Sequence, residues 1–443
     1  MSEYLSAEQQ APLDAAISGK SIFLTGAAGT GKSFTLRKTI AAMHAKFSNR
    51  PGAVAIVAPT GAAALQVEGT TIHHYFGLSL VKQETAAKLT TWKRSAWTSI
   101  QVLIIDEISM VANWMLELLD RMGRQSRPKQ KDLPFGGVQL IVCGDFMQLS
   151  PIQGTFAFKS ASWTATILPE HCFELKYAYR QGKDQDFAAL LAQVRCGKAD
   201  QSVLDILSAT KGNKGKGGGD ENGIQPTRLY SKKANVEQEN LQNLEKLPGD
   251  ALVFTARDQG HPAEFVTTRL SGWTNAPTQL LLKLGAQVVL LKNLDIQQGL
   301  VNGSRGIIVG FSQDKKPVVR FAHGSTQQIE LAKWTLTRTD DPSAVVAMRF
   351  QYPLDLAWAT TIHKSQGMSL DLVDTDLSEC FADGMAYVAL SRCRTLQGLT
   401  VKGLTAFSIK TNKEALAFHA SLEKISTTEP SSSSKRQKTD STD

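Results

Sequence analysis

The sequence has few cysteines and no long apolar run. Its five cysteines, Cys143, Cys172, Cys196, Cys380 and Cys393, form no C-x-x-C pair and have no histidine at finger spacing. That pattern excludes a zinc finger and a disulfide frame, and it fits reduced, buried thiols in an intracellular protein. No stretch approaches the roughly 18 consecutive apolar residues that cross a membrane, so no membrane partner is expected. The N-terminal MSEYLSAEQQ carries Glu3 and Glu8 and lacks an apolar h-region, which argues against a secretory leader or an Arg-rich transit peptide. Neither sign of charge dominates, and a net charge of +8 is modest evidence for an anionic partner. The 42% hydrophobic and 20% charged content is that of a soluble globular chain, and 443 residues call for more than one core.

What the chain does contain begins at residues 21–34, SIFLTGAAGTGKSF. A short apolar strand (Ile22, Phe23, Leu24) runs into a glycine-rich loop and then into a helical pattern with Leu36 and Ile40 on one face. Gly26, Gly29 and Gly31 let the backbone fold tightly enough that the N–H groups of Gly26, Ala27, Ala28, Gly29, Thr30 and Gly31 can face a phosphate. Lys32 supplies a charge for the β- and γ-phosphates, and the Ser33 hydroxyl suits Mg²⁺. The spacing G-x-x-x-x-G-K-S therefore predicts a nucleoside triphosphate site, with ATP and Mg²⁺ as its occupants.

Other strand ends point at the same place. The apolar run at 102–105 ends in Asp106 and Glu107; the first carboxylate suits the Mg²⁺ shell and the second a general base, which favours an ATPase over a kinase. The run at 138–143 leads into Gln148, able to bond both a γ-phosphate and the attacking water. Strand ends at Thr25, Asp106 and Asp145 thus converge, in an α/β domain with a mostly parallel sheet. Residues 53–58 (AVAIVA) form another buried strand, after which Thr60 lies on the ligand edge. Ser6 and Gln9 have capping-box spacing, so Gln9 reads equally as a helix cap or as a reader of the nucleotide base. In residues 71–77 (TIHHYFG), His73 and His74 are adjacent, point apart and do not suit a metal; stacking on a single strand and a packed loop core both fit. The basic segment 82–97, with two tryptophans, reads as a small insertion standing off the sheet.

The second half is again α/β but has no phosphate loop. Residues 177–181 (YAYRQ) lead into a helix through Arg195, and 208–226, rich in Gly and Lys, read as a flexible surface loop. Short strands at 286–292, 305–311 and 317–321 suggest a small β-barrel over residues 284–350. Residues 356–367 (LAWATTIHKSQG) gather Thr361, His363, Lys364 and Ser365, a cluster suited to sugar and phosphate contacts. A helix at 387–394 carries two arginines. The last eighteen residues, 426–443, are Ser/Thr-rich and should be disordered, with Lys435-Arg436-Gln437-Lys438 readable as a nuclear signal or a solvated tail. An ATPase domain beside a domain without its own loop usually receives an arginine across the cleft. Arg180 and Arg392 are the candidates, a surface salt bridge being the alternative for either.

In this order the motifs resemble the Pif family of superfamily-one-B DNA helicases. They are GAAGTGKS, APTGAAA, TIHHYFG, IIDEISM, PFGGVQLIVCGDFMQLSP, YRQ, LKLGAQVVLLKN, LVNGSRG, AWATTIHKSQG and AYVALSR, and they run from residue 5 to about 405. PFGGVQLIVCGDFMQL and TIHKSQG are specific to that family and its near relatives; the phosphate loop is not. The resemblance implies two RecA-like P-loop NTPase domains: 1–178, including a basic wedge insertion at about 80–100, and 179–283 with 351–425. An SH3-like barrel at 284–350 is inserted in the second. It implies an ATP-driven 5′–3′ helicase that translocates on single-stranded DNA and opens 5′-tailed duplexes in replication, repair or recombination, with RNA–DNA hybrids and G-quadruplexes as further substrates. A monomer in solution, able to pair on DNA, and a nuclear or mitochondrial location go with it.

Carried over by motif, Gln9 reads adenine, Lys32 and Ser33 hold phosphate and Mg²⁺, and Gly367 lies against the nucleotide. Asp106 and Glu107 are the metal and water carboxylates, Gln148 the γ-phosphate sensor, and Arg180 and Arg392 the arginine fingers. Thr60, His73, Thr361, His363, Lys364 and Ser365 fall in strand-contacting motifs. Two departures stand out. Eukaryotic members usually carry a long extension before the first motif, where this chain begins almost at it. Residues 111–133 match the family's signature helix only loosely, which bears on partners and special tasks rather than on the motor.

Overall fold

The computed structural model describes residues 5–78, 83–86, 92–182, 184–213, 223–260, 266–268, 270–271, 274–295, 298–300, 302–337 and 345–428. The basic tetrapeptide of the tail, the Gly/Lys-rich stretch 214–222 and most of residues 79–91 lie outside these.

The short apolar runs of the first half become strands buried on both faces, as parallel sheets require. β1 (Ile22–Gly26), β2 (Val54–Ala58), β3 (Thr70–Thr71), β4 (Val102–Ile105), β5 (Gln139–Cys143) and β6 (Cys172–Leu175) form one sheet in the order β3-β2-β4-β5-β1-β6. All its pairings are parallel. The register places Leu24 opposite Cys143 and Ile105 opposite Val142, so the ends of β1, β4 and β5 lie level. Apolar residues cover both faces: Leu36, Met43 and Val67 on one, and Met115, Leu116, Leu119 and Trp97 on the other.

The second half has its own parallel sheet, begun by β7 (Thr227–Tyr230) and interrupted by a long antiparallel insertion. That insertion comprises β8 (Leu252–Thr255), β9 (Arg257–Gly260), β10 (Gln279–Leu282), β11 (Gln287–Leu290), β12 (Arg305–Phe311), β13 (Pro317–Phe321), β14 (Thr326–Gln328), β15 (Ala332–Thr337), β16 (Val345–Gln351) and β17 (Leu354–Leu356). The parent sheet resumes with β18 (Ala359–Thr361), β19 (Val373–Asp376) and β20 (Leu399–Lys402), in the order β18-β7-β19-β20.

The antiparallel pairing reaches beyond the expected limits of 284–350. β8 pairs with β10, β9 with β16, and β11 with β17. Its main sheet is β14-β13-β12-β11-β17, around Val288, Ile308, Val319, Phe321 and Leu354. Among the described residues no pairing joins β14 to β17, so a closed barrel stays an expectation.

Other expectations change in detail. Trp97 does not stand off the sheet: it is fully buried in the first core, stacked on Phe76 with ring centroids 4.7 Å apart. Trp92 packs against the same core and donates its indole N–H to Ser126 Oγ. A tryptophan buried this way is worth more to the fold than one held out in solvent, so residues 92–100 belong to the first domain. Part of the expected surface loop at 208–226 is regular, since a helix ends at Ala209 and a single 3₁₀ turn, Thr210–Gly212, follows. The C-terminal helix Lys413–Thr428 runs past Ser426, into the start of the expected tail. It returns to the first domain, where Phe418 stacks on Phe158 at 4.2 Å and contacts Phe23, Phe146 and Trp163.

Candidate nucleotide and strand site

The phosphate loop adopts the backbone its glycines allow, with φ of 143° at Gly26 and 89° at both Gly29 and Gly31. Each position is also crowded, because a Cβ on Gly29 would lie 2.7 Å from Arg180 Cβ and one on Gly31 2.7 Å from Gln9 Nε2. Gly31 starts the helix Lys32–Lys46, whose buried face is Thr35, Leu36, Thr39 and Met43. Lys32 Nζ donates to the carbonyls of Gly26 and Ala27 at 2.8 and 3.0 Å. Burial pushes its pKa down, against the pull of Asp145, Cys143 and Glu107.

Gln9 is a helix cap in this fold and also lies beside the phosphate loop. It closes the capping box with Ser6, and its amide nitrogen lies against Gly31 at the mouth of the loop. Tyr179 lies against Gly31 as well and packs edge-on against Tyr177. The sequence showed these tyrosines only as neighbours of Arg180.

The carboxylates sit where the strand ends meet. Asp106 is buried and accepts the Glu107 N–H at 2.9 Å. Burial, then the neighbouring Glu107, pushes it up to about 7. Glu107 is itself pushed up by burial, which Lys32, Gln366 and Arg392 partly offset. Its backbone is left-handed, φ 51° and ψ 47°, a strained state for a residue with a side chain and one that clusters at functional sites. Ser33 and Asp106 offer the hard oxygens that Mg²⁺ prefers, and a cation would relieve the charge burden on Asp106. Among the described residues no cluster of three or more His, Cys, Asp or Glu makes a separate metal site.

The second domain reaches this site with four side chains. Arg180, half-buried, donates to Ser369 Oγ at 2.7 Å and to the Ser391 carbonyl at 3.0 Å, while its N–H meets Gly29 O. Burial and the facing Arg392 push it down to about 9. Arg392 is buried just past the end of the helix Met385–Leu390 and donates to Val388 O, Ser391 Oγ, Ser365 O and Met368 O. Neither arginine is a surface salt bridge. Tyr387 hydroxyl accepts the Ala28 N–H at 2.7 Å, and burial raises its pKa to about 12, so it stays protonated. Gln366 Nε2 donates to Glu107 Oε2 at 2.9 Å.

Gln148 is buried and donates to Asp145 Oδ2 at 3.3 Å. Asp145 in turn receives both arms of Arg195, at 2.9 and 3.1 Å, and against the cost of burial this holds its carboxyl below the usual range. Arg195 ends the helix Gln185–Arg195, so an ion pair crosses the cleft behind Gln148. Nothing in the local sequence singles it out.

The expected strand contacts separate into two groups. The hydroxyls of Thr60 and Thr361 are spent on capping, accepting the N–H of Ala63 at 3.2 Å and of Lys364 at 3.1 Å. Ser365 is fully buried and donates to Ile362 O. His73 and His363 are half-buried, with burial lowering both pKa values, and Lys364 is exposed. Gly367, at φ 81°, lies against Gln66, where a Cβ would clash with the Gln66 amide.

A model of the PIF1-like helicase family matches residues 4–204, and one for the DNA helicase Pif1 2B domain matches residues 270–311. The human ATP-dependent DNA helicase PIF1 is 40% identical over 430 residues, covering 94% of this chain and 64% of its own length. The chain thus spans about two thirds of that relative. The crystal structure of Candida albicans Pif1 helicase aligns with TM-score 0.78 at 35% identity, over 95% of this chain and all of that one. A Bacteroides Pif1 helicase solved in complex with ADP-AlF₃ and ssDNA aligns with TM-score 0.67 at 28% identity, over 96% and 98%. By sequence over most of its length and by structure over nearly all of it, this chain belongs to the PIF1-like helicase family.

Proposed function

We propose that the chain is an ATP-dependent DNA helicase that moves 5′ to 3′ along single-stranded DNA. The observation that carries this reading is the crowd of cations, Lys32, Arg180 and Arg392, from two domains around one phosphate loop, each with its pKa lowered. Such a cluster is costly unless a polyanion neutralises it, and a triphosphate does so.

In this reading Lys32 holds the β- and γ-phosphates and the loop N–H groups cradle them. Ser33 and Asp106 would hold Mg²⁺, which would neutralise phosphate charge. Glu107 takes the proton of the attacking water. Gln148 senses the γ-phosphate through its position beside Asp145, and Arg180 and Arg392 stabilise the charge that develops on the transferred group. Gln9 and Tyr179 flank the nucleotide base. His73, His363 and Lys364 lie on turns of the two sheets and contact the strand. Closure on ATP and release after hydrolysis move the strand if the two turns hold it with unequal strength in the two states.

Strand separation on matched duplexes, one with a 5′ tail and one with a 3′ tail, tests the reading, with Lys32→Ala as control. Unwinding of the 5′-tailed duplex alone is expected. Unwinding from the 3′ tail alone breaks the polarity, and turnover indifferent to DNA breaks the helicase reading itself.

A further inference from the structure

Gln366 occupies a position that its motif does not explain. It belongs to the turn Thr361–Gly367, whose exposed Lys364 and half-buried His363 face outward, yet Gln366 is itself buried. It is tied down at two points. Its carbonyl oxygen accepts the Gln66 Nε2 at 3.1 Å, and its own Nε2 donates to Glu107 Oε2 at 2.9 Å. The amide oxygen Oε1 is buried with no hydrogen-bond partner, next to the carboxylate that activates water in the proposed reaction. Leaving a buried amide oxygen unpaired is unfavourable. A rigid attachment to Glu107 is a reason for the fold to tolerate it.

A general base works best when a third group fixes its orientation. With Oε2 of Glu107 taken by the amide, Oε1 is left as the oxygen for the attacking water. The group that fixes the base is part of the turn proposed to contact the strand. A shift of that turn when DNA is seated or released moves the amide relative to Glu107.

We propose that Gln366 is a positioning residue that couples strand occupancy to ATP hydrolysis by orienting Glu107. The inference rests on the reading of the site as a DNA-dependent ATPase. The charged groups that face Glu107 are Lys32 and Asp106 from the first domain, Asp145 at the end of β5, and Arg180 and Arg392 from the second. Against these charges Gln366 is a neutral donor, bonded to Glu107 Oε2.

The test is Gln366→Leu in the full chain, assayed with ATP, Mg²⁺ and a mixed-sequence single-stranded oligonucleotide. At saturating oligonucleotide kcat is expected to fall about tenfold, with KM for ATP changed by no more than about twofold. The ratio of turnover with DNA to turnover without it should shrink by about fivefold. An unchanged ratio, which includes an equal fall with and without DNA, overturns the inference. If Gln366→Leu gives no cooperative melting transition, Gln66→Leu removes the tether from the other side. It should lower the same ratio by a smaller factor, and an unaltered ratio there overturns the inference too. A wild-type chain whose turnover ignores DNA breaks both this inference and the reading beneath it, whereas a wild-type chain that responds to DNA while the variant responds equally overturns this inference alone.

Discussion

The two sheets present the same small device and use it differently. In the first domain β3 ends at Thr71, whose side chain accepts the His74 N–H at 3.2 Å and caps the turn Ile72–Tyr75. In the second, β18 ends at Thr361, which accepts the Lys364 N–H at 3.1 Å and caps Ile362–Ser365. The capping residues have nearly the same backbone, φ −73° and ψ 149° against φ −79° and ψ 150°. Each turn carries a half-buried histidine. Beyond the turns the two segments part ways. The first continues into Phe76, buried against Trp97; the second continues into Gln366, bonded to Glu107. One turn is anchored in a hydrophobic core and the other to the carboxylate beside the phosphate loop, an asymmetry that suits the proposed unequal hold on a strand.

The largest effect should come from the side that carries the chemistry. Lys32→Ala and Glu107→Gln are each expected to cut ATP turnover by about 10³ or more. Glu107→Gln should keep its nucleotide affinity, measured by equilibrium binding of a labelled analogue; brisk turnover by that variant would remove Glu107 from its role. On the opposite side Arg392→Ala and Arg180→Ala should each lower kcat by about 10²–10³, since each supplies a guanidinium to the phosphates. A double variant close to either single one would show that they act as one unit.

A third test concerns the charge burden at the strand ends. In the nucleotide-free fold Asp106 keeps its proton up to about pH 7, whereas an unfolded chain releases it near 3.8. This group therefore costs no stability below about pH 4 and costs progressively more as pH rises toward 7. Asp106→Asn should accordingly stabilise the nucleotide-free chain by on the order of 2 kcal/mol at pH 8 and leave it nearly unchanged at pH 4, read by thermal melting. A variant less stable at pH 8 would contradict that sign.

The smallest effects bear most directly on the two turns. His73→Ala and His363→Ala should each weaken single-strand binding by a factor of about 5–10, in keeping with the loss of one stacking group. Only His363→Ala should also lower the DNA stimulation of turnover, because only its turn touches Glu107. Equal loss of stimulation in both variants would erase the distinction between the turns.

Much of the first domain was legible because its signals are local. The phosphate loop, the acidic strand end at Asp106 and Glu107, and Gln148 each come directly after an apolar run that parallel pairing buries, and the level register of β1, β4 and β5 brings them together. The cleft was less legible. Arg195, Tyr387 and Gln366 owe their places to partners 50, 359 and 259 residues away in sequence, and no spacing rule reports such contacts. The bond that Ser365 makes was hidden for the opposite reason: a polar residue in a polar motif can spend its hydroxyl on its own turn. Trp97 was misplaced because a basic neighbourhood outweighed the one residue whose burial decides where the segment goes.

The placement of Phe418 has a mechanical corollary. The polypeptide leaves the first sheet after β6, builds the second around β7, and then comes back, planting this ring among Phe23, Phe146, Phe158 and Trp163. Phe418 thus ties the end of the chain to the first sheet's aromatic core at a second point, apart from the covalent passage after β6.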